Sequence, residues 1–531
     1  IASYDRGLRF VLRHRLATLI VTIATLGLTV VLAIAVPKGF FPQQDTGVIL
    51  GVSEAAPDVS FSQMMGLQRA LADVVLADPD VQNVASFIGS DGTNPTTNSG
   101  RLSITLKPVD QRRSSADEII ARLKPKLAAV RGIELYLQSV QDLTIDSRIS
   151  RTQFQYTLSG ADPAELATWS ARLLAELRKS SAQSGLLDVP TLKDIASDEE
   201  AAGLEVSLTI DRDTASRLGI SPQVIDDTLY DAFGQRQISI IFTQLNLYRV
   251  ILEVKPGLAR TVTALDRTFV RSASGMPVPL GAIVHRSITT APLAINHQGQ
   301  FPAVTISFNL ADGQSLGGAV TAIQEAQKRV AMPPSVHASF VGTAQAFNDS
   351  LASEPLLIAA AVVTVYIVLG ILYESYIHPV TILSTLPSAG VGALLALFIC
   401  RIDFSVIALI GIVLLIGIVK KNAIMMIDFA LEAQRDHGMT PEQAIHQACL
   451  LRFRPIMMTT MAALLGGLPL ALGTGMGSEL RRPLGVSIVG GLLISQVLTL
   501  YTTPIVYLYM DRLGRWLSRA RRKPTLAEVA P

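Results

Sequence analysis

The chain is poor in cysteine. It has 2 in 531 residues, Cys400 and Cys449, and both lie in its apolar second half. The large polar region therefore has no disulfide framework and no thiolate metal site. The 7 histidines are scattered, so no metal site is expected, and no cofactor. There is no P-loop, zinc motif, G-x-S-x-G elbow or Rossmann fingerprint. No enzyme constellation stands out, and without an ATP site any transport would draw on an ion gradient. The formal net charge is only +2 and no basic, aromatic-interleaved patch occurs, so nucleic acid is not an expected partner.

What is present is apolar. The chain is 49% hydrophobic, too much for an ordinary soluble protein, yet 17% charged, too much for one wholly inside a membrane. It reads as membrane spans plus a sizeable aqueous region. The most informative stretch is 404–433, FSVIALIGIVLLIGIVKKNAIMMIDFALEA, a run long enough to span a bilayer with Lys420 and Lys421 inside it. A charge within a span costs at least about 2.5–3.5 kcal/mol and usually faces a partner or a water path. Adjacent residues on a helix stand about 100° apart, so the two lysines occupy different environments. Two readings are open for them: snorkelling to the interface, or, for Lys421, membership of an ion or proton relay. Asp428 follows seven residues later on nearly the same face, about 10 Å along the helix and too far for a direct bond. The natural partner for Lys421 is a buried carboxylate from outside this chain.

Arg6, Arg9, Arg13 and Arg15 lead into an apolar stretch at 16–36, which places 1–15 in the cytoplasm by the positive-inside bias. Pro37 and Gly39 mark the exit into a long aqueous region. There, alternating strands (Val48–Val52, Leu102–Leu106, Phe154–Leu158, Val206–Ile210, Val304–Phe308) interleave with amphipathic helices. Helix starts are written at Ser60 with Gln63, Ser115 with Glu118, Asp162–Pro163 with Glu165, and Ser315. This alternation predicts two ferredoxin-like βαβ units. Residues 211–295 interrupt the second with a helix at Ser221–Pro222 and a hairpin, Ile238–Thr243 with Tyr248–Val254. That insertion is either a decorative extension or a docking surface. Spans are then expected at 356–372, 379–400, along the lysine-bearing helix, at 455–473 and at 483–510. A polar cytoplasmic linker containing Arg435, Arg452 and Arg454 should precede the span at 455. The basic tail at 511–531 is again cytoplasmic. Arg481 and Arg482 fall on the wrong side, partly offset by Glu479. Arg452 and Thr459, seven apart, share a face if the helix runs through Pro455, which a membrane helix tolerates. The alternative is an interfacial Arg and a Thr bonded to its own backbone. The loop GSDGTNPTTNSG at 89–100 is either an ordinary solvated loop or a gate. The first residue is Ile1, not Met, so a piece of something longer is expected.

These residues resemble a family. G-I-V-K-K-N-A-I-M-M-I-D-F-A followed by L-R-F-R-P-I-M-M-T-T is similar to the resistance–nodulation–division (RND) multidrug efflux transporters, hydrophobe/amphiphile branch. The order of one span, a large exported domain and five spans matches the C-terminal half of that family. F-F-P-Q-Q-D-T-G, D-R-D-T-A-S-R-L-G-I and F-G-Q-R-Q-I-S look most like the MdtB/MdtC-type subunits. The resemblance implies an α+β membrane protein with six transmembrane helices and periplasmic ferredoxin-like porter subdomains. The implied layout is a lead-in at 1–15, a span at 16–36, porter subdomains at 43–147 and at 148–210 plus 296–345, a docking subdomain at 211–295, five spans within 356–510, and the tail. It implies a secondary active proton/drug antiporter in the bacterial inner membrane, and not an enzyme. Lys421, Thr459 and Arg452 match the family's relay, with Asn422 and Asp428 beside them. The relay aspartates belong to an N-terminal half that is absent here. The implied partners are that half, two further protomers in a homo- or heterotrimer, a periplasmic membrane-fusion adaptor, an outer-membrane channel, protons and amphiphilic small molecules.

The chain departs from the drug pumps of the family where they bring phenylalanines into the drug pocket. Matching positions hold Ala85, Ser90 and Ser103, and the nearest aromatic is Phe87. With Asn94, the residues Phe87, Ser90 and Ser103 are the substrate-contact candidates, and they point to polar or amphipathic, detergent-like or bile-salt-like cargo. Two other readings compete. One is a lipid- or protein-export relative on the same scaffold, which the insertion at 211–295 argues against. The other is a membrane-anchored binding or sensor protein, which would have no need of Lys421 or Thr459.

Overall fold

The computed structural model of the protein describes residues 2–89, 96–145, 150–182, 191–200, 203–255, 257–258 and 261–521. Two compact units emerge: residues 1–55, 61–198 and 296–531 form one, and residues 56–60 with 199–295 form the other.

In the first unit the chain opens with α1 (Ala2–Arg13) and α2 (Arg15–Ala35). It then builds a sheet from β1 (Val48–Ala55), α3 (Phe61–Leu76), β2 (Val81–Ile88), β3 (Ser99–Leu106), α4 (Ala116–Leu127) and β4 (Ile133–Ser139). The strand order is β2-β3-β1-β4, all neighbours antiparallel. Both β1 and β3 alternate between half-buried and buried residues along their length, the period-2 signature of a sheet covered on one face. Ile49, Leu102 and Ile104 are buried, as are Met64 and Leu71 of α3 and Ile119 and Leu123 of α4. Each such side chain contributes roughly 1.5–3 kcal/mol when removed from water. The helix starts follow the sequence: Ser115 and Glu118 close a capping box on α4.

The second sheet repeats this order. It uses β5 (Phe154–Gly160), α5 (Pro163–Ala182) and β6 (Leu192–Ser197) before the second unit intervenes. That unit has β7 (Gly203–Ile210), α6 (Arg212–Arg217), α7 (Pro222–Phe233), β8 (Arg236–Phe242), β9 (Leu247–Leu252), β10 (Phe269–Arg271), β11 (Pro277–Pro279) and β12 (Val284–Ala291). Its small core gathers Ile220, Ile225, Val270, Leu280 and Ile283. β7 pairs with β12, so the chain leaves the second sheet after Asp198 and not at 210, the expected boundary. β8 and β9 form the expected hairpin, tipped by exposed Phe242 and Leu245. The sheet resumes with β13 (His297–Gln298), β14 (Phe301–Leu310), α8 (Leu316–Val330) and β15 (Val336–Val341). β14 pairs with both β5 and β6, and β5 with β15.

The remaining helices are α9 (Thr343–Tyr373), α10 (Ile377–Leu383), α11 (Leu386–Ile399), α12 (Val406–His437), α13 (Pro441–Ala471) and α14 (Ser478–Arg521). Among the described residues six helices are long and apolar enough to cross a membrane: α2, α9, α10 with α11, α12, α13 and α14. The polar linker expected before 455 is instead mostly helix. α13 begins at Pro441, with Thr440 and Gln443 in a capping box, and runs on through Pro455. α11 and α14 approach at glycine, where a Cβ on Gly392 would stand 2.6 Å from the Gly490 carbonyl oxygen. Small residues permit such backbone contact between apolar helices.

Two sets of contacts hold the segment between α2 and β1. Asp45 accepts from Arg112 Nη1 at 2.7 Å and Nη2 at 2.5 Å, and from the Ala116 N–H that opens α4 at 2.9 Å. Burial pushes the Asp45 carboxyl up, but Arg112 and the backbone donors outweigh it and hold the group below the usual carboxylate range. Further on, 37–40 runs parallel to the α11–α12 turn, with Phe404 N–H donating to Pro37 at 2.8 Å and Val406 N–H to Phe40 at 3.2 Å. Asp403 of that turn sits against Gly39, where a Cβ would come within 2.9 Å of its Oδ2. Burial pushes its carboxyl up to about 6.

Two outcomes follow for the purified protein in detergent. Arg112→Ala strands the Asp45 carboxylate and should cost about 3–5 kcal/mol of thermal stability. Asp45 titrates below its unfolded value, so its contribution is complete above roughly pH 4 and is lost as pH falls through the folded value. The loss on Arg112→Ala should therefore shrink in acid. Asp403 has the opposite sign, because its folded form holds the proton more tightly. Asp403→Asn should raise the melting temperature at pH 7.5, by progressively less as pH falls from about 6, with the difference gone below the unfolded value near pH 4.

Candidate functional site

α12 and α13 are joined by the short turn 438–440, in which Gly438 takes a left-handed conformation as the C-cap of α12. α12 is N-capped by Ser405, whose side chain accepts from Ala408 N–H. One face of α12 is buried in the bundle, including Leu415, Val419, Asn422 and Met426 at helical spacing. Asn422 is the polar member of that face. Its Nδ2 donates to Thr460 Oγ1 at 3.1 Å and to Gln496 Oε1 at 3.4 Å, linking α12, α13 and α14. A donor left unmade in an apolar layer is costly, so this bond fixes helix register as well as contributing energy.

The opposite face of α12 is an exposed stripe, with Ile410, Leu414, Gly417, Lys421, Asp428 and Glu432 spaced by three, four or seven. Lys421 is thus an exposed ammonium within an apolar stretch. Among the described residues it makes no ion pair or hydrogen bond. Lys420 is half-buried. Asp428, on the same stripe, accepts from the Tyr373 hydroxyl of α9. On α13, Thr459 is exposed and its hydroxyl donates to the Ile456 carbonyl of its own helix at 3.1 Å. Lys421 and Thr459 each stand one residue before a member of the Asn422–Thr460 pair. Arg452 lies half-buried over the Phe429 ring, 5.1 Å from its centroid, a cation–π geometry. Its Nε is buried and, among the described residues, has no hydrogen-bond partner.

Of the candidate relay residues, Asn422 is thus turned inward while Lys421, Asp428 and Thr459 face outward. Sequence reasoning missed Thr460, Gln496, Tyr373 and Phe429. A Thr–Thr doublet and a lone Gln in the last span were the available signals for the first two. Tyr373 and Phe429 carried none, since an aromatic in an apolar run reads as packing.

The substrate-contact candidates lie on the first sheet. Cross-strand pairs Phe87–Arg101 and Ala85–Ser103 put Phe87 and Ser103 on one face, away from buried Leu102 and Ile104. Leu50 and Val52 of β1 share that face through their pairing with Ser103 and Arg101. Phe87 is exposed and Ser103 half-buried. Ser90 and Asn94 lie outside the described residues. Among the described residues no group of three or more His, Cys, Asp or Glu is placed to hold a metal ion.

A model of the AcrB/AcrD/AcrF family matches residues 1–511. The chain belongs to the AcrB/AcrD/AcrF family. Among solved structures, two crystal forms of a heavy metal efflux pump share the fold of this family member, with TM-scores of 0.83 and 0.82 at 22% identity. Each likeness covers 96% of this chain and 52% of that one, so the chain spans about half the length of those proteins. At that identity the likeness speaks for the fold; the metal is a property of those pumps.

Asn422→Leu should lower the thermal stability of the detergent-solubilised protein by about 1–3 kcal/mol, because Thr460 and Gln496 lose their partner. Thr459→Val, whose hydroxyl bonds only its own helix, should stay within about 0.5 kcal/mol of wild type. Equal losses would refute this division between a structural and an outward-facing residue.

Proposed function

We propose that the chain is the C-terminal half of an inner-membrane proton/drug antiporter subunit, of the hydrophobe/amphiphile branch of RND transporters and of the MdtB/MdtC type. It would export amphiphilic compounds from the periplasm or membrane to an outer-membrane channel. The observation that carries this reading is Lys421, an ammonium displayed on an exposed stripe within an apolar helix. Such a charge calls for a counter-charge from another segment. We assign that role to the N-terminal half with its relay aspartates. A carboxylate facing Lys421 holds the ammonium while ionised, and protonation of the acid releases it. Thr459 and Asn422 flank that event, Asp428 lies two turns nearer the cytoplasm, and Arg452 offers its unpartnered Nε.

In this reading the two sheets are periplasmic porter subdomains, near 43–147 and 148–198 plus 296–345. Their shared βαββαβ order, with the first and third strands central, favours the ferredoxin-like assignment. The insertion, 199–295 by the pairing of β7 with β12, is the docking subdomain, facing the channel. Two further protomers and a periplasmic adaptor complete the assembly. The amphiphile assignment draws on the open face of the first sheet, where Phe87, Leu50 and Val52 set apolar surface beside Arg101 and Ser103.

The test uses the complete transporter in cells stripped of other pumps. Lys421→Met should abolish export of bile salts and detergents while trimers still assemble on native gels. Persisting export would sink the relay assignment and favour a binding or sensor protein. Loss of resistance to divalent metals alone, with bile-salt export unchanged in a deletion strain, would replace the amphiphile assignment.

A further inference from the structure

α1 is pinned to the bundle by its apolar face. Leu8 and Tyr4 are buried, the Tyr4 ring stacks on Phe453 with centroids 4.5 Å apart, and its hydroxyl donates to the Leu500 carbonyl at 3.0 Å. The helix therefore lies across the foot of the bundle. The chain turns at His14 into α2. In that corner, against the first turns of α13, is an open cavity of about 640 Å³. Arg9, Arg13 and Arg15 line it, with Leu12, Glu442 and His446.

The charges in this cavity do not balance. Arg15 pairs with Glu442 at 2.5 Å and is held by a bond from its Nε to the Leu12 carbonyl at 2.9 Å. Arg9 pairs with Asp5, which also accepts from His446 at 3.0 Å. Each acid is thereby matched to an arginine. Arg13 is exposed and has no ion pair among the described residues. A fixed positive surplus remains, and its geometry is set by two arginines already held in place by their carboxylates.

The surroundings specify the rest of the ligand. Immediately beyond the corner, α2 exposes Leu16, Ile20 and Ile23, and Phe10 of α1 is exposed at the same corner. A free anion would use the arginines and leave this apolar strip idle. A molecule with an anionic phosphate and acyl chains uses both. Basic pockets beside membrane helices on the cytoplasmic side recognise headgroups in this way. We infer that the α1–α2–α13 corner is a binding site for the phosphodiester headgroup of an anionic phospholipid, its acyl chains lying along α2. The inference needs α2 to lie in a bilayer and does not depend on whether the protein pumps.

Native mass spectrometry of the full-length transporter, delipidated in detergent and titrated with phosphatidylglycerol, reads the site directly. Wild type should retain phosphatidylglycerol and not phosphatidylcholine of the same chain length. Arg13→Gln should weaken retention about fivefold and Arg13→Glu about twenty-five-fold, at one and two charges removed. Arg13→Lys should restore most of it. Arg481→Gln, at the opposite end of the bundle, should change nothing. Because Arg13 is exposed and unpaired, these variants should fold, and monodisperse elution checks this. Equal retention by wild type and Arg13→Glu, or equal binding of phosphatidylcholine, would overturn the site. Inorganic phosphate binding as tightly as phosphatidylglycerol would overturn the lipid as its ligand. Failure here leaves the relay reading untouched, since that reading stands or falls on Lys421.

Discussion

An ammonium group in the middle of an apolar helix has to be solvated by something other than hydrocarbon, and α12 is arranged around that requirement. The cost of leaving it bare is at least about 2.5–3.5 kcal/mol. The helix meets this by dividing its polar residues between two faces. Asn422 turns inward and spends its amide on Thr460 and Gln496. Lys421, the adjacent residue, turns outward. Asp428, the acid that shares its stripe, accepts a bond from Tyr373 and lies about 10 Å along the helix. The bundle thus satisfies its own polar groups on one side of α12 and leaves the Lys421 ammonium displayed on the other.

The rest of the bundle serves that division. α14 packs against α11, α12 and α13 together, with close approach made possible where glycines face one another. Polar tethers hold α14 in place at several depths, including Gln434 to Tyr507 at 2.6 Å and Ser388 with Thr499 at 3.4 Å. Helices joined this way have little freedom to rotate about their own axes. The inward and outward faces of α12 are therefore fixed.

Much of this was legible in the sequence because it is written locally. Apolar run length gave the six candidate spans, and capping residues gave the starts of α4, α5, α7 and α8. The hairpin of β8 and β9 was visible as two apolar runs around Gln244–Asn246. β4 was not read. It is a strand with exposed or half-buried residues through most of its length, so alternation was weak. The end of the second sheet was also misplaced, because β7 has the right pattern for either sheet and only its pairing with β12 decides. At the candidate site the sequence supplied Lys421, Thr459 and Arg452 but not their neighbours. Which residue of the Thr459–Thr460 doublet meets Asn422 depends on the rotation of α13 about its axis. No one-dimensional pattern carries that angle.

The short parallel contact between 37–40 and the α11–α12 turn has a mechanical meaning. Through Pro37 and Phe40 the exit of α2 is stitched to the first residues of α12, and through the Lys38 carbonyl, which accepts from Gly317 at 3.0 Å, it is stitched to the start of α8 in the second sheet. α12 is a rod of 32 residues, about 48 Å long, with Lys421 at its midpoint. A stiff rod hinged to a sheet at one end behaves as a crank. The path from α12 to the second sheet thus runs through four backbone hydrogen bonds, the fourth from Gly39 N–H to the Phe404 carbonyl, instead of through flexible side chains.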